Sequence, residues 1–490
     1  MKLFRKHELY RLDKTRWSLG LLLIASPWIL LVITTSLIAH HSVFDSVPCW
    51  SDELAYWHEI LSFSRKGFDF GYYTMNEALP NCLSFGTHGF GAVSVYALFG
   101  KIFGWKAYSM VIANAFFVSF AFFVLAALVK IKSEKLLFIL IFTLSYLPLI
   151  LFSSTSMTEL LNFSIMIMYV GLLQVYFQRG GTNWLLVLLV FCTAISFIRI
   201  IYIILYLPLI FKRKNAFKFD GKFLISVILW IVASSVLFVL NNLFVSPYPD
   251  SFLTELFNSN SFPDFVSIFT SHFIQNSRNF INPVSDNSIQ VLLRYFELIL
   301  CLFCLWKSNL LQSKFNTMVL EYFVVFLMLF FFLMVNIAAY DVFDWRDYRV
   351  MVPVVYAGVL FLILNDKAIV VRGSLVLNVL GLIILILSPQ VLEAFNKGRY
   401  DKIEVNQILN KIEYTKNPKS GFDNSIVVQQ FNTNTVLNIP AGIGITYSDM
   451  LSDKLKSRYI YSDKRLKLQT YKLIDSNETG CLYKKQADKN

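Results

Sequence analysis

The sequence predicts a polytopic all-α membrane bundle of about eleven transmembrane helices, followed by a small extracytoplasmic α/β domain. Three observations predict it. Of 490 residues, 56% are hydrophobic, 47 are Phe and only 16% are charged; with a mean hydropathy of +0.56, that is more apolar surface than a soluble core needs. Apolar segments recur through residues 1–390, each near the length that spans a bilayer. From about residue 390 the chain turns polar, with short alternating runs.

The segments that read as spans are 17–38, 107–129, 136–152, 159–177, 223–245, 289–306, 319–339, 350–364 and 374–388. The stretch 184–211 is too long for one span and breaks at Ser196-Phe197-Ile198-Arg199. A single span there would place the basic run 212–222 outside, against the charge rule. Two short helices meeting at a tip near Arg199 return the chain to the cytoplasm. The first apolar stretch is too long for a cleavable signal and lacks a small-residue cleavage site, so it is expected to stay as an anchor. Segment 89–106, apolar but carrying Lys101 and Lys106, reads as an interfacial helix or as a connector. Two units result: a membrane module over 1–390, whose outer loop 39–106 holds an acidic pair, and an extracytoplasmic α/β domain over 391–490. In the second, helical text (Lys402 to Tyr414) precedes strands such as Ser425-Ile426-Val427-Val428 and Arg458-Tyr459-Ile460-Tyr461.

The formal net charge of +12 would suit nucleic acid, but its placement argues against that partner. Lys2, Arg5, Lys6, Arg11, Lys14 and Arg16 precede the first span, and Lys130, Lys132, Lys135 and the 212–222 run lie between others. That is an orientation signal, with the N-terminus inside and the C-terminus outside. The six cysteines show no metal spacing. Cys192, Cys301 and Cys304 read as small core residues, whereas Cys49 and Cys82 share an outer loop and can form a disulfide or remain free.

The residues of chemical interest lie on the outer face. Asp52 and Glu53 open the first polar loop, in Pro48-Cys49-Trp50-Ser51-Asp52-Glu53-Leu54-Ala55-Tyr56-Trp57. Two adjacent carboxylates can divide labour, one taking a proton from a nucleophile and the other holding a metal or its partner. The same letters also read as a helix start. Loop 340–349 packs Arg346, Arg349 and three aspartates around Tyr348, just before a helix containing Pro353. Arginine suits bidentate phosphate contacts; an interfacial ion-pair cluster is the plainer reading. Arg199, a charge within apolar text, is a functional candidate by default, with snorkelling to the headgroups as its alternative.

A single N-terminal span, an outer Asp-Glu pair and a Gly-rich aromatic stretch together resemble the GT-C glycosyltransferases. These use polyprenyl-phosphate-linked sugars; protein mannosyltransferases and the lipid A aminoarabinose transferase are relatives. The stretch here is Gly86-Thr87-His88-Gly89-Phe90-Gly91, followed by Leu98-Phe99-Gly100, with Phe90 where the family commonly has proline. The resemblance spans most of residues 1–390. It implies a membrane glycosyltransferase that moves a sugar from a polyprenyl-phosphate donor to an extracytoplasmic glycan, lipid or protein, inverting the anomeric configuration. Asp52 is then the general base, and Glu53 its neighbour. Glu159, in Ser153-Ser154-Thr155-Ser156-Met157-Thr158-Glu159, takes the place of the family's second acidic residue. His88 would contact the sugar or a metal, and Arg199, Arg346, Arg349 and Tyr348 the donor. Asp52 and Glu159 would hold a divalent cation, Mg or Mn, if one takes part. Trp57, Tyr72 and Tyr73 are candidates to stack on sugar faces.

Three rivals stand beside this. A polysaccharide polymerase or ligase acting on lipid-linked glycans would rely on arginines and a histidine in large outer loops, without the acidic pair. A transporter or flippase would show internal repeats and ionisable residues at mid-membrane, and no repeat stands out. A scaffold that binds a partner through 391–490 would tolerate substitution of Asp52. The expected location is a bacterial inner membrane, with the endoplasmic reticulum as the alternative.

Overall fold

The structure, a computed structural model, describes residues 14–67, 71–79, 85–86, 89–211, 221–246, 252–281, 288–308, 317–340, 347–365, 367–387 and 390–486. Thr15–Ile38, Ser109–Leu128, Glu159–Arg179, Phe223–Asn242 and Leu320–Ala339 are helices long and apolar enough to cross a bilayer. Glu159–Arg179 is apolar on every side because it is central: Phe163, Met166, Tyr169 and Val170 are all buried. Phe223–Asn242 instead leaves Leu224, Ile228, Leu229, Val232 and Val239 exposed. In water such a face would aggregate; in lipid it is solvated. The chain is an integral membrane protein.

The expected count of about eleven spans is not reached by length and composition. The described residues give five, or six if Arg372–Leu387 and Gln390–Asn396, bent by 82°, form one. The shortfall has physical reasons. Val352–Leu364 has 13 residues, so it rises only about 20 Å against a hydrocarbon core of ~30 Å. The segment 136–152 is two helices, Ser133–Ser145 and Leu147–Phe152, restarting at Pro148 in a first turn. Ser288–Lys307 carries Arg294 and Glu297, both buried. The broken pair around Arg199 does form: Thr182–Ser196 is one arm and Ile200–Tyr206 the other. Tyr206 and Thr193 hydroxyls meet at 2.5 Å across the arms, and Tyr169 of the central helix donates to the Leu205 carbonyl at 2.9 Å.

The polar half is one six-stranded mixed sheet: β1 (Tyr73–Met75), β2 (Ser425–Val428), β3 (Gly444–Tyr447), β4 (Tyr459–Ser462), β5 (Tyr471–Asn477) and β6 (Gly480–Lys485), in the order β1-β3-β2-β4-β6-β5. The first four in that order run parallel; β6 is antiparallel to β4 and β5 to β6. Alternation sorts the side chains. Ile426, Val428, Ile445 and Leu482 face one side with Val436, Leu54 and Ala55, while Val427, Ile460 and Tyr483 face the other. Edge strand β1 and the helix Ser51–Lys66 both come from the first polar loop, so the sheet unit draws on residues well before 391. Helix Ser51–Lys66 is thereby held between membrane bundle and sheet. The helix expected over Lys402–Tyr414 is only a turn at Leu409–Lys411. Side-chain amides take its backbone donors instead: Glu404 N donates to Asn434 Oδ1 (3.1 Å) and Asn406 N to Asn438 Oδ1 (3.0 Å).

Segment 89–106 supplies a 14-residue helix, Phe90–Phe103, which buries Val93, Tyr96 and Ala97 and exposes Leu98, Ile102 and Phe103. Its glycines serve close approach. A Cβ on Gly91 would lie 1.9 Å from the Phe197 carbonyl oxygen, beside the hairpin tip.

Candidate active site

Helix Ser51–Lys66 places Asp52 and Glu53 in its first turn, where the helix dipole favours carboxylates. The two point to different environments. Glu53 is fully buried: Oε1 accepts from Ser156 N and Arg399 Nη1, both at 2.9 Å, and Oε2 from Cys49 N (2.8 Å), Trp50 N (3.2 Å) and Arg399 Nη1 (3.1 Å). The Arg399 guanidinium also lies over the Trp50 ring, 5.2 Å from its centroid. Glu53 thus ties the helix start to loop 153–158 and to the chain entering the sheet unit. Cys49 is a free thiol that donates to Glu53 Oε2 (3.6 Å), and burial pushes its pKa up to about 12. Cys82, the other cysteine of that loop, lies outside the described residues.

Asp52 stays accessible and meets the arginine of the distant loop. Arg349 Nη2 donates to Asp52 Oδ2 at 2.6 Å, and Arg349 Nε lies 3.6 Å from Glu159 Oε1. The same carboxylate oxygen meets a second arginine: Arg199 Nη2 is 3.5 Å from Glu159 Oε1 and 3.4 Å from Thr158 Oγ1. Side-chain exposure runs from 30% at Asp52 through 27% at Arg349 and 22% at Arg199 to 0% at Glu159. The row therefore opens on Asp52 and closes on Glu159. Two carboxylates and two guanidiniums balance in charge. Glu159 Oε2 has no hydrogen-bond partner among the described residues.

The polar loop 153–158 that aims Glu159 is almost wholly buried, and its backbone is held from outside itself. Asn114 Nδ2 donates to the Thr155 and Met157 carbonyls (3.1 and 2.8 Å), and Tyr96 donates to Asn114 Oδ1. Thr34 and Ser153 hydroxyls meet at 2.9 Å. Glu159 itself opens the long central helix.

Of the residues expected at the site, the structure brings Asp52, Glu159, Arg199 and Arg349 together. It places Glu53 behind them. Tyr348 lies in the turn Asp347–Val350, and His88 and Arg346 fall outside the described residues. Trp57, Tyr72 and Tyr73 are buried, with Trp57 Nε1 donating to the Lys106 carbonyl and the Tyr72 hydroxyl to the Gly421 carbonyl, so they present no face to a sugar. Two groups were missed. Tyr56, one turn beyond Asp52, is hydrogen-bonded to Thr158 beside Arg199, and Tyr340 faces both Arg199 and Arg349. Both lie in aromatic-rich text, so only their spacing from charged neighbours could have flagged them.

Asp52 and Glu159 are the two carboxylates expected to hold a divalent cation. Arg349 already bridges Asp52 and Glu159, and among the described residues no cluster of three His, Cys, Asp or Glu side chains is placed to hold an ion.

A helix bundle capped by a mixed sheet, with a charged row where the two meet, defines a polytopic membrane protein. Among solved structures the chain is similar to ArnT from Cupriavidus metallidurans, crystallised with undecaprenyl phosphate bound. The identity is 12% and the TM-score 0.50, over 97% of this chain and 99% of that one, a likeness in fold. No family model and no curated protein sequence matches the chain.

Proposed function

We propose that the protein is a membrane glycosyltransferase that moves a sugar from a polyprenyl-phosphate donor to an acceptor hydroxyl on the outer face of a bacterial inner membrane. The observation that carries this reading is the 2.6 Å contact between accessible Asp52 and Arg349, backed by Glu159 and Arg199. The ArnT-like fold supports the donor class.

In this reading the lipid tail lies against the helices and the phosphate takes Arg349 and Arg199 as counter-charges. Arg349 turning to phosphate frees Asp52 from its ion pair and raises its basicity. Asp52 then accepts the acceptor's hydroxyl proton while that oxygen attacks the anomeric carbon. The bond from anomeric carbon to phosphate oxygen breaks, and the lipid phosphate leaves with the electron pair, neutralised by the guanidiniums. Attack opposite the leaving group inverts the configuration. Glu159 holds both arginines in register, and Glu53 positions Asp52 through the backbone. The acceptor is a glycan, lipid or protein. No step requires a metal.

The test is transfer of radiolabelled sugar from polyprenyl phosphate in membranes carrying wild-type protein or Asp52→Asn at equal level. Loss of about a hundred- to ten-thousand-fold is expected for removal of a general base. Transfer unchanged by the substitution would refute Asp52 as the base, and absence of transfer from every polyprenyl-linked donor would refute the class. A topology reporter at residue 60 is expected outside the cytoplasm.

A further inference from the structure

The sheet unit contains a polar cavity of about 340 Å³, apart from the charged row and unused by the reaction above. It opens at the carboxyl ends of parallel neighbours β2 and β4: Gln430 and Asn432 follow β2, and Asp463 follows β4. The chain leaves β2 towards β3 on one side and leaves β4 towards β5 and β6 on the other, so the cavity sits at the topological switch point. Crevices at such points are where open α/β sheets bind ligands. The volume lies within the ~300–1,000 Å³ of small-molecule sites.

The lining decides the chemistry. It is made of amides (Asn406, Gln430, Asn434) and carboxylates (Asp401, Glu404, Asp463) with threonine hydroxyls, and contains no lysine or arginine. In a chain of net charge +12 that is a local inversion. Three carboxylates repel phosphate, nucleotides and anionic headgroups. No group of His, Cys, Asp or Glu among the described residues is arranged for a metal. What remains suited is a ligand rich in hydroxyls, since a planar carboxamide or carboxylate offers two polar atoms to adjacent hydroxyls.

The groups are also held in place. Gln430 Nε2 donates to Asp463 Oδ2 (3.0 Å) and Asn432 Nδ2 to Gln430 Oε1 (3.4 Å). At the floor, buried Asn406 donates to the Tyr461 hydroxyl (2.9 Å), which donates to the Thr479 carbonyl (2.9 Å). Fixed polar groups lose little freedom on binding. One wall adjoins the acidic helix: Thr433 Oγ1 donates to the Pro48 carbonyl at 3.1 Å, four residues before Asp52.

From this we infer that the cavity is a binding site for a pyranose sugar that is neutral or bears an amine. The inference goes beyond the transfer reaction and does not depend on it.

The test is saturation-transfer NMR on the detergent-purified full-length protein, with methyl glucoside and glucosamine as probes and glucuronate and inorganic phosphate as comparators. Gln430→Ala and Asp463→Ala alter exposed side chains, so unchanged melting temperatures are expected. Wild type should bind both probes saturably and favour them over the two anions. Each variant should weaken probe binding about tenfold or more, the cost of one lost hydrogen-bonding partner. Asp52→Asn should leave binding unchanged, which separates this site from the transfer chemistry. The inference is overturned if wild type binds neither probe, if both variants bind as wild type does, or if glucuronate or phosphate binds as tightly as the probes.

Discussion

Arg399 and Glu53 form a fully buried ion pair at 2.9 Å across 346 residues of sequence. Helix Ser51–Lys66 is fixed to the sheet unit and to loop 153–158 at the same carboxylate, so Asp52 and Glu159 are positioned by one pin. Breaking a buried pair from one side leaves an uncompensated charge, whereas neutralising both sides costs far less. Arg399→Met is therefore expected to destabilise the protein by about 3–5 kcal/mol. The double variant Glu53→Gln with Arg399→Met should recover much of that loss. Melting curves of the detergent-purified proteins check this; a double variant no more stable than the single would disprove the pin.

Arg349 touches both accessible Asp52 and buried Glu159. Arg349→Lys keeps the charge but cannot span the two carboxylates, because an ammonium is a point donor. Transfer should fall by about a hundredfold or more, the scale of losing a preorganised charge contact. Arg199→Lys should fall less, since the hydrogen bonds of Arg199 to Glu159 and Thr158 are long, at 3.4–3.5 Å. Equal losses in the two variants would contradict the ranking.

How much of this was legible follows from what each residue looks like locally. Asp52, Glu159, Arg199 and Arg349 are charges at the ends of apolar segments, where charge stands out. Arg399 sits in polar text where arginine is ordinary, so nothing local pointed to Glu53. The three residues of β1 are too few to show alternation, which hid the first loop's share of the sheet. The bundle was evident from hydropathy, but the number of spans was not, because short and bent helices are as apolar as crossing ones. The run Gly86-Thr87-His88-Gly89-Phe90-Gly91 was visible, while the reason for its glycines was not. A Cβ at Gly86 would lie 2.0 Å from Glu59 Oε1, and Gly89 has φ +69°.

His58 and Glu59 give the acidic helix a pH signature. Burial lowers His58 to about 4 although Nε2 donates to the Ile443 carbonyl at 2.7 Å, and burial raises Glu59 to about 8 although Oε1 accepts from Tyr73 N at 2.9 Å. For His58 the unfolded chain binds the extra proton between about 4 and 6.5, so stability rises with pH there. For Glu59 the folded chain holds the proton between about 4.5 and 8, so stability falls with pH across that window. The two slopes oppose each other up to about 6.5, and above it Glu59 alone acts. Wild type should therefore lose stability from pH 6.5 to 8, by a few kcal/mol at most. Glu59→Gln should flatten that decline while keeping an acceptor for Tyr73 N. An unaltered decline in the variant would place its cause elsewhere.

Gly91 tests whether the hairpin tip must lie against helix Phe90–Phe103 for Arg199 to reach Glu159. An added methyl would meet the Phe197 carbonyl oxygen at 1.9 Å and Ile198 Cα at 2.7 Å, both backbone atoms that cannot rotate away. Something must shift, and the nearest movable part is the turn carrying Arg199, one residue on. Gly91→Ala should cost about 1–3 kcal/mol of stability. It should also lower transfer by more than that loss explains, because Arg199 already sits at 3.5 Å and a further displacement removes its contact with Glu159. Gly20→Ala, where a Cβ meets nothing within 4 Å, serves as the neutral comparison. If Gly91→Ala melts lower yet transfers sugar normally at a permissive temperature, the tip's position matters for folding alone, and Arg199 is not part of the donor site.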